Sequence, residues 1–395
     1  MIQINTNKFD WTIINQIYRD DPHILMTPLI DKIETFYGAA TTHPIVKTLL
    51  SEWFYNLDAI SSLKVSQYLL NQNLVEKINK YKGLISEIFQ PQDRAYSDII
   101  YTWPLVRQNA LENTNYSERK NIITTVIHAN NIHLFRSISL EELTKDPKQG
   151  TIFSNKEKIK DIELVYSDQI SHVIDQLSDI FNYDAFSPNF RSLLLSALHV
   201  DVCPYCNRQY ITNYETKGTI RGTADIDHFY NKSQYPFLAL SIYNFIPSCQ
   251  ICNSRFKLTK DFELKKHIYP YGRGFGKDGK FKFINIDCLL GNDPKYVLEN
   301  CGNLEEIENS INTFHLQEVY QSHKDYVQEL VKKAKIYNDT QCNEFLRNFR
   351  GLFSSKEEML RMIFGNYISE EDLGKRPLAK LTKDLLDDLG ICTEI

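Results

Sequence analysis

Long apolar runs are missing from this 395-residue chain, and no window approaches the roughly 18 uninterrupted apolar residues that a membrane span needs. The opening residues, MIQINTNKFDWTII, show no basic stretch leading into an apolar one, so no export signal is read there, and a soluble, cytoplasmic protein without membrane contact is the expectation. Cysteine is sparse: eight residues cannot staple a chain of this length as a secreted disulfide scaffold. Internal repeats and low-complexity tracts are absent. The glycines at 272, 274, 276 and 279 match the spacing of neither a phosphate loop nor a dinucleotide fingerprint, which leaves them to turns. What is present is the composition of a folded protein, 42% hydrophobic, 24% charged and 12% aromatic, and this excludes a disordered tail. At roughly 100 to 200 residues per domain, two or three domains are expected.

No single sign of charge dominates, but charge is unevenly spread. The net −5 divides into −4 over residues 1–180, +5 over 181–290 and −6 over 291–395. A basic middle between acidic flanks is where a polyanion is expected to sit. Within it, 255–282 carries nine basic residues against Asp261, Glu263 and Asp278.

The same three segments differ in periodicity, so the reading is an N-terminal helical domain (1–180), a central domain (181–290) and a C-terminal helical domain (291–395). Pro44 to Ile60 and Ser61 to Phe89 space apolar residues by threes and fours, as helices do. His315 to Tyr337 holds one amphipathic stripe, Ser355 and Glu358 form a capping box, and Pro377 opens a last helix that Gly390 stops. His128 and His133 are taken as structural. In the middle, Gln209–Tyr214 and Ala224–His228 read as strands of one hairpin joined by Glu215–Gly222, and Asp278-Gly279 as the turn of a second. The fold class is α+β and predominantly α-helical.

Four of the cysteines form two knuckles, Cys203-Pro-Tyr-Cys206 and Cys249-Gln-Ile-Cys252. Two such pairs meeting give the closed tetrahedral four-thiolate site of structural zinc, which has no open position for water and so does no chemistry. Catalysis is therefore sought between the knuckles. Asp227 followed at once by His228 at a strand end sets a hard oxygen ligand beside a group that exchanges protons near neutral pH. Asn253, directly after the second knuckle, starts a predicted helix that also carries Arg255 and Lys257, so an amide oxygen and two cations are expected to converge on one spot. With Asp227, Asn253 suffices for a cation that keeps most of its waters, as magnesium does.

This order of features, carried by ADIDHFYNKSQYP and YNFIPSCQICNS over roughly Leu195 to Cys288, resembles the HNH endonucleases of the ββα-metal superfamily with a four-cysteine zinc. It is similar in particular to HNH proteins of bacterial anti-phage systems of the retron and Septu types. The resemblance implies a central zinc-braced ββα-metal nuclease core flanked by the helical domains. It implies His228 as general base, Asp227 and Asn253 as ligands of a catalytic Mg2+ or Mn2+, and Asn244 as the residue that orients the imidazole. Asp225, on the same strand face as Asp227, is an alternative or supporting ligand. Lys232, Arg255 and Lys257 are expected to grip phosphates. The implied substrate is DNA, with structured RNA such as tRNA as the alternative; a zinc-braced nucleic-acid-binding scaffold without catalysis is the reading from another class. The acidic flanks suggest restraint by a regulatory partner such as an ATPase or sensor.

Overall fold

The computed structural model describes residues 1–20, 25–54, 60–87, 170–185, 188–216, 219–284, 294–349 and 351–391. His128, His133 and much of the second half of the segment 1–180 lie outside the described residues. Among the described residues, helices mix with three small antiparallel sheets of two strands each, an α+β arrangement, and no helix is long and apolar enough to cross a membrane.

Pro44–Phe54 falls in the first periodic stretch of the sequence, Ser62–Leu69 and Leu74–Glu87 divide the second, and a further helix, Thr27–Gly38, precedes both. Ser61 starts its helix by accepting from the Lys64 amide, the capping bond that a serine at this position supplies. Val46, Leu49, Leu50 and Phe54 face the same core as Val65, Tyr68 and Leu69. That core extends to the central segment: the rings of Trp53 and Phe237 lie 5.0 Å apart, Tyr68 Oη donates to the Phe237 carbonyl (3.0 Å), and Tyr18 Oη donates to the Leu240 carbonyl (3.2 Å). The helices thus buttress residues 236–240 from behind.

Among the described residues six strands form where the sequence suggested fewer. β1 (Asn213–Thr216) pairs with β2 (Thr219–Gly222), with Thr216 opposite Thr219. β3 (Asp225–His228) pairs with β4 (Phe245–Ser248), with His228 opposite Phe245. The expected hairpin between 209–214 and 224–228 is therefore replaced by two: its supposed loop is itself a hairpin, and β3 finds a later partner. The reason is burial, since Phe245 and Ile246 are fully buried on β4, whereas Tyr210, Thr212 and Tyr214 remain exposed. β5 (Gly279–Phe283) pairs with β6 (Tyr296–Asn300), across the expected boundary at 290. Asp278-Gly279 is not the tip of this hairpin; it starts β5, and the Asp278 carbonyl accepts the Cys301 amide (2.7 Å). The residues before it are engaged by the N-terminus instead. Phe275 donates to the Met1 carbonyl and Ile4 to the Pro270 carbonyl, and a side chain on Gly274 would stand 2.8 Å from the Gln3 amide nitrogen.

The C-terminal stripe is kept but not as one helix. Leu316–Tyr320 and Lys324–Ile336 are separated by a 3-10 turn, Gln321–His323, where Ser322 Oγ donates to the Val319 carbonyl (2.9 Å) and Arg208 donates to His323 (2.9 Å). Ser355 caps Lys356–Phe364 through the Glu358 amide, while the Glu358 carboxylate returns to the Ser354 amide, one residue earlier than in a standard capping box. The last helix, Ala379–Asp388, begins two residues after Pro377 because Asn207, in the first cysteine knuckle, caps it: Asn207 Oδ1 accepts from the Lys380 amide (3.0 Å) and the Asn207 carbonyl from the Leu378 amide (2.7 Å). Gly390, at φ 76°, ends it.

Candidate functional site

The four knuckle cysteines converge. All are buried, and their sulfurs lie within 4.8 Å of one another. A tetrahedral ion with Zn–S bonds near 2.3 Å sets its sulfurs about 3.8 Å apart, and Cys206 Sγ and Cys249 Sγ are 3.9 Å apart. The donor set therefore fits a metal ion such as zinc. Local backbone prepares it: Asn207 in the left-handed region turns the first knuckle, its amide donates to the Cys203 carbonyl (2.8 Å), and the Arg208 amide points at Cys206 Sγ (3.4 Å). Hydrogen bonds from Cys203, Cys206 and Cys252 pull the Cys249 thiol far below its ordinary range, whereas burial pushes Cys203 up.

β3 runs from this centre into an open cleft of about 680 Å³, and all four of its residues line that cleft. His228 is 8% exposed, held edge-on by Tyr183 (4.7 Å) and Phe245 (5.2 Å). Its Nε2 stands 3.0 Å from the Ala239 carbonyl. A carbonyl only accepts, so Nε2 carries the proton and Nδ1 keeps the lone pair. Burial among apolar rings lowers the imidazole pKa to about 4, the Ala239 bond opposing this only in part, so His228 is neutral at pH 7.

The two aspartates of β3 have different partners. Asp227 is buried and already engaged: Tyr205 Oη donates to Oδ2 (2.5 Å) and Lys257 Nζ to Oδ1 (2.9 Å). Asp225 is half-buried, and its Oδ2 receives Asn253 Nδ2 (3.1 Å) and Ser254 Oγ (3.5 Å). The structure thus brings Asn253 to Asp225, not to Asp227.

Asn244 is fully buried, and its side-chain hydrogen bonds go to backbone and not to the imidazole. Its amide accepts from the Tyr230 amide (2.8 Å) and donates to the carbonyls of Tyr230 (3.0 Å) and Leu238 (3.1 Å). It clamps the two ends of the 230–238 loop, and with them the neighbouring Ala239 carbonyl that holds His228, so any orienting effect passes through backbone.

Two phosphate-gripping expectations are revised. Lys257, 2% exposed, faces inward and bonds Asp227 and the His228 carbonyl (2.6 Å), so it is a structural counter-ion. Its helix, Cys252–Lys257, is a π-turn closed by Leu258 donating to the Asn253 carbonyl; the wide turn swings Lys257 under β3, and such turns recur at functional sites. Three cations of the basic run 255–282 are likewise paired within the chain. Arg273 pairs with Glu306 (2.8 Å), Lys282 with Glu299 (2.5 Å) and Lys280 with Asp387 (3.4 Å), each an acid of the C-terminal segment. Arg255 is exposed, and Lys232 lines the cleft.

Sequence reading missed Tyr205, Tyr183, Asp184 and Arg191. Tyr205 had a signal, its place between the two cysteines of a knuckle. The other three come from the Tyr183–Ala185 turn and the Pro188–Leu198 helix, well before the motif, and only tertiary structure delivers them. Comparison with known protein families, curated proteins and solved structures returned no match to this chain.

Proposed function

We propose that the cleft hydrolyses phosphodiester bonds of nucleic acid, in the manner of the HNH endonucleases that the β3–β4 motif resembles, with DNA as the first substrate to test. The orientation of His228 carries this reading: a neutral imidazole whose Nε2–H is tied to a backbone carbonyl presents Nδ1 as the basic nitrogen at a cleft that also holds hard oxygen ligands. Nδ1 takes a proton from water as the water oxygen attacks phosphorus in line. The opposite P–O3′ bond breaks, and the departing oxygen is protonated from solvent, leaving 5′-phosphate and 3′-hydroxyl ends. Asp225 and Asn253, an adjacent carboxylate and amide, fit a Mg2+ or Mn2+ ion better than Asp227, whose two oxygens already receive Tyr205 and a lysine ammonium. A bound cation supplies positive charge to the phosphate and to the departing oxygen. Asp227 positions β3, and Asn244 positions the loop whose carbonyl fixes His228.

A second reading, binding without cleavage, is favoured by one observation: both aspartates of β3 are already paired within the chain. Purified wild type and His228→Ala, incubated with plasmid DNA and with total tRNA in magnesium, manganese or EDTA, separate the two. Metal-dependent cutting that is lost in the variant supports the hydrolase and selects DNA or RNA. Binding that is equal in both proteins, without cutting, supports the scaffold. A regulatory ATPase or sensor and a role in anti-phage defence belong to the same resemblance; addition of such a partner raising the rate is the expected result if the acidic flanks restrain the site.

A further inference from the structure

Asp184, Arg191 and Lys232 meet at the mouth of the cleft, on the ring of Tyr183. Lys232 Nζ lies 2.6 Å from Asp184 Oδ2, and Arg191 Nη2 lies 3.5 Å from Asp184 Oδ1. One carboxylate therefore takes one cation on each oxygen. Both cations also stand over the same aromatic ring, the Arg191 guanidinium at 4.8 Å and the Lys232 ammonium at 5.2 Å from the Tyr183 centroid, while the Tyr183 ring packs edge-on against His228. The three charged side chains are open to solvent, at 68% exposed for Asp184, 52% for Arg191 and 37% for Lys232.

We infer that Arg191 and Lys232 form a seat for one backbone phosphate next to the reacting one, and that Asp184 occupies this seat as an internal stand-in until nucleic acid displaces it. The inference rests on the cleft being a nucleic-acid site. Its chemistry is that of a phosphodiester: two non-bridging oxygens sharing a single negative charge, matched by a planar guanidinium fork and a point-charge ammonium. Asp184 presents two oxygens and one negative charge to the same pair. Charge from Lys232 and Arg191, led by the Lys232 hydrogen bond, holds the Asp184 carboxyl below its usual range, so the stand-in is ionised at neutral pH. A polyanion wins the exchange because it engages further cations at the same time and releases condensed counterions. The arrangement also gives the cleft a built-in threshold: isolated anions compete poorly with a tethered carboxylate, whereas a strand that spans the cleft competes well.

The test separates binding from cutting. Fluorescence anisotropy of a labelled single-stranded DNA oligonucleotide, without divalent metal and over a salt series, is measured for the full chain and for Asp184→Asn, Arg191→Gln and the double variant. Asp184→Asn is expected to bind several-fold more tightly. Arg191→Gln is expected to bind more weakly and to flatten the log–log salt slope by about 0.7, one single-strand phosphate contact. In the double variant the gain from Asp184→Asn should shrink. Unchanged or weaker binding by Asp184→Asn, with its melting temperature preserved, overturns the inference and leaves a plain surface ion triad; absence of binding by every protein overturns it as well. Because no metal is present, tighter binding by Asp184→Asn stands even if wild type cuts nothing, and cleavage by wild type stands even if the seat fails.

Discussion

In the cysteine centre, four identical ligands converge on one point with their sulfurs within 4.8 Å, and a backbone amide, that of Arg208, supports one of them. In the cleft a few residues along the same hairpin, the groups are all different and nearly every charge has a partner from another part of the chain: Asp227 with Lys257, Asp225 with Asn253, Asp184 with Lys232. The first arrangement could hold an ion such as zinc, and four thiolates would leave that ion no open position. The second is balanced by its own ion pairs and hydrogen bonds and is open to solvent. Tyr205 joins the two: it lies within the first knuckle, stacks on Phe314 (4.5 Å) and donates to Asp227, so the position of a cleft carboxylate depends on the metal-binding turn.

The largest effect that can break this comparison is loss of the brace. Cys249→Ser is expected to abolish stoichiometric zinc binding and the cooperative unfolding transition of the chain, because metal affinity in such sites is largely folding free energy. Metal analysis with thermal denaturation checks it; a variant with unchanged melting and unchanged metal content contradicts the closed-site assignment. Next is Lys257→Met, which leaves Asp227 buried without its counter-ion and should cost about 3–5 kcal/mol in urea denaturation. Tyr205→Phe should cost less, about 1.5–3 kcal/mol for one hydrogen bond to a charged group, while leaving metal content intact. If Tyr205→Phe were silent in both stability and cleavage, the proposed link between the centres would be lost.

An effect of similar size, confined to acid pH, comes from His228. The His228 pKa is near 4 in the fold and near 6.5 when unfolded, so between these values the unfolded chain binds more protons than the folded one. Stability from this group is therefore full above about pH 6.5 and falls as pH drops towards 4, by up to ~3 kcal/mol. His267, lowered to about 3 by burial, adds to the same trend, so the comparison of wild type with His228→Asn isolates the share of one imidazole. Parallel curves for the two proteins would show that His228 is not held neutral.

Legibility from sequence follows the same division. The cysteine centre could be read because its information is local: two pairs with two residues between the members need only meet. Asp227-His228 and Asn253 could be read as neighbours of those knuckles, but not how they pair, since the choice between Asp225 and Asp227 depends on where Lys257 and Tyr205 point. Lys257 shares its helix with exposed Arg255, and nothing in a run of basic residues tells an inward cation from an outward one. The β1–β2 hairpin was hidden because its strands are polar and short, whereas β4 attracts β3 through buried Phe245 and Ile246. Asp184 and Arg191 join the cleft through tertiary contacts with no sequence period, among them Tyr183 on His228, Asn213 on the Leu195 carbonyl and Lys232 on Asp184.

The most direct test of the central claim is single-turnover cleavage of an end-labelled oligonucleotide by wild type, His228→Ala and Asp225→Asn across a magnesium series. The account predicts no cleavage by His228→Ala at any magnesium concentration, and a rate for Asp225→Asn that is low at wild-type magnesium levels and partly recovers as magnesium rises. Cleavage by His228→Ala at the wild-type rate, or an Asp225→Asn curve that overlays wild type, would contradict it.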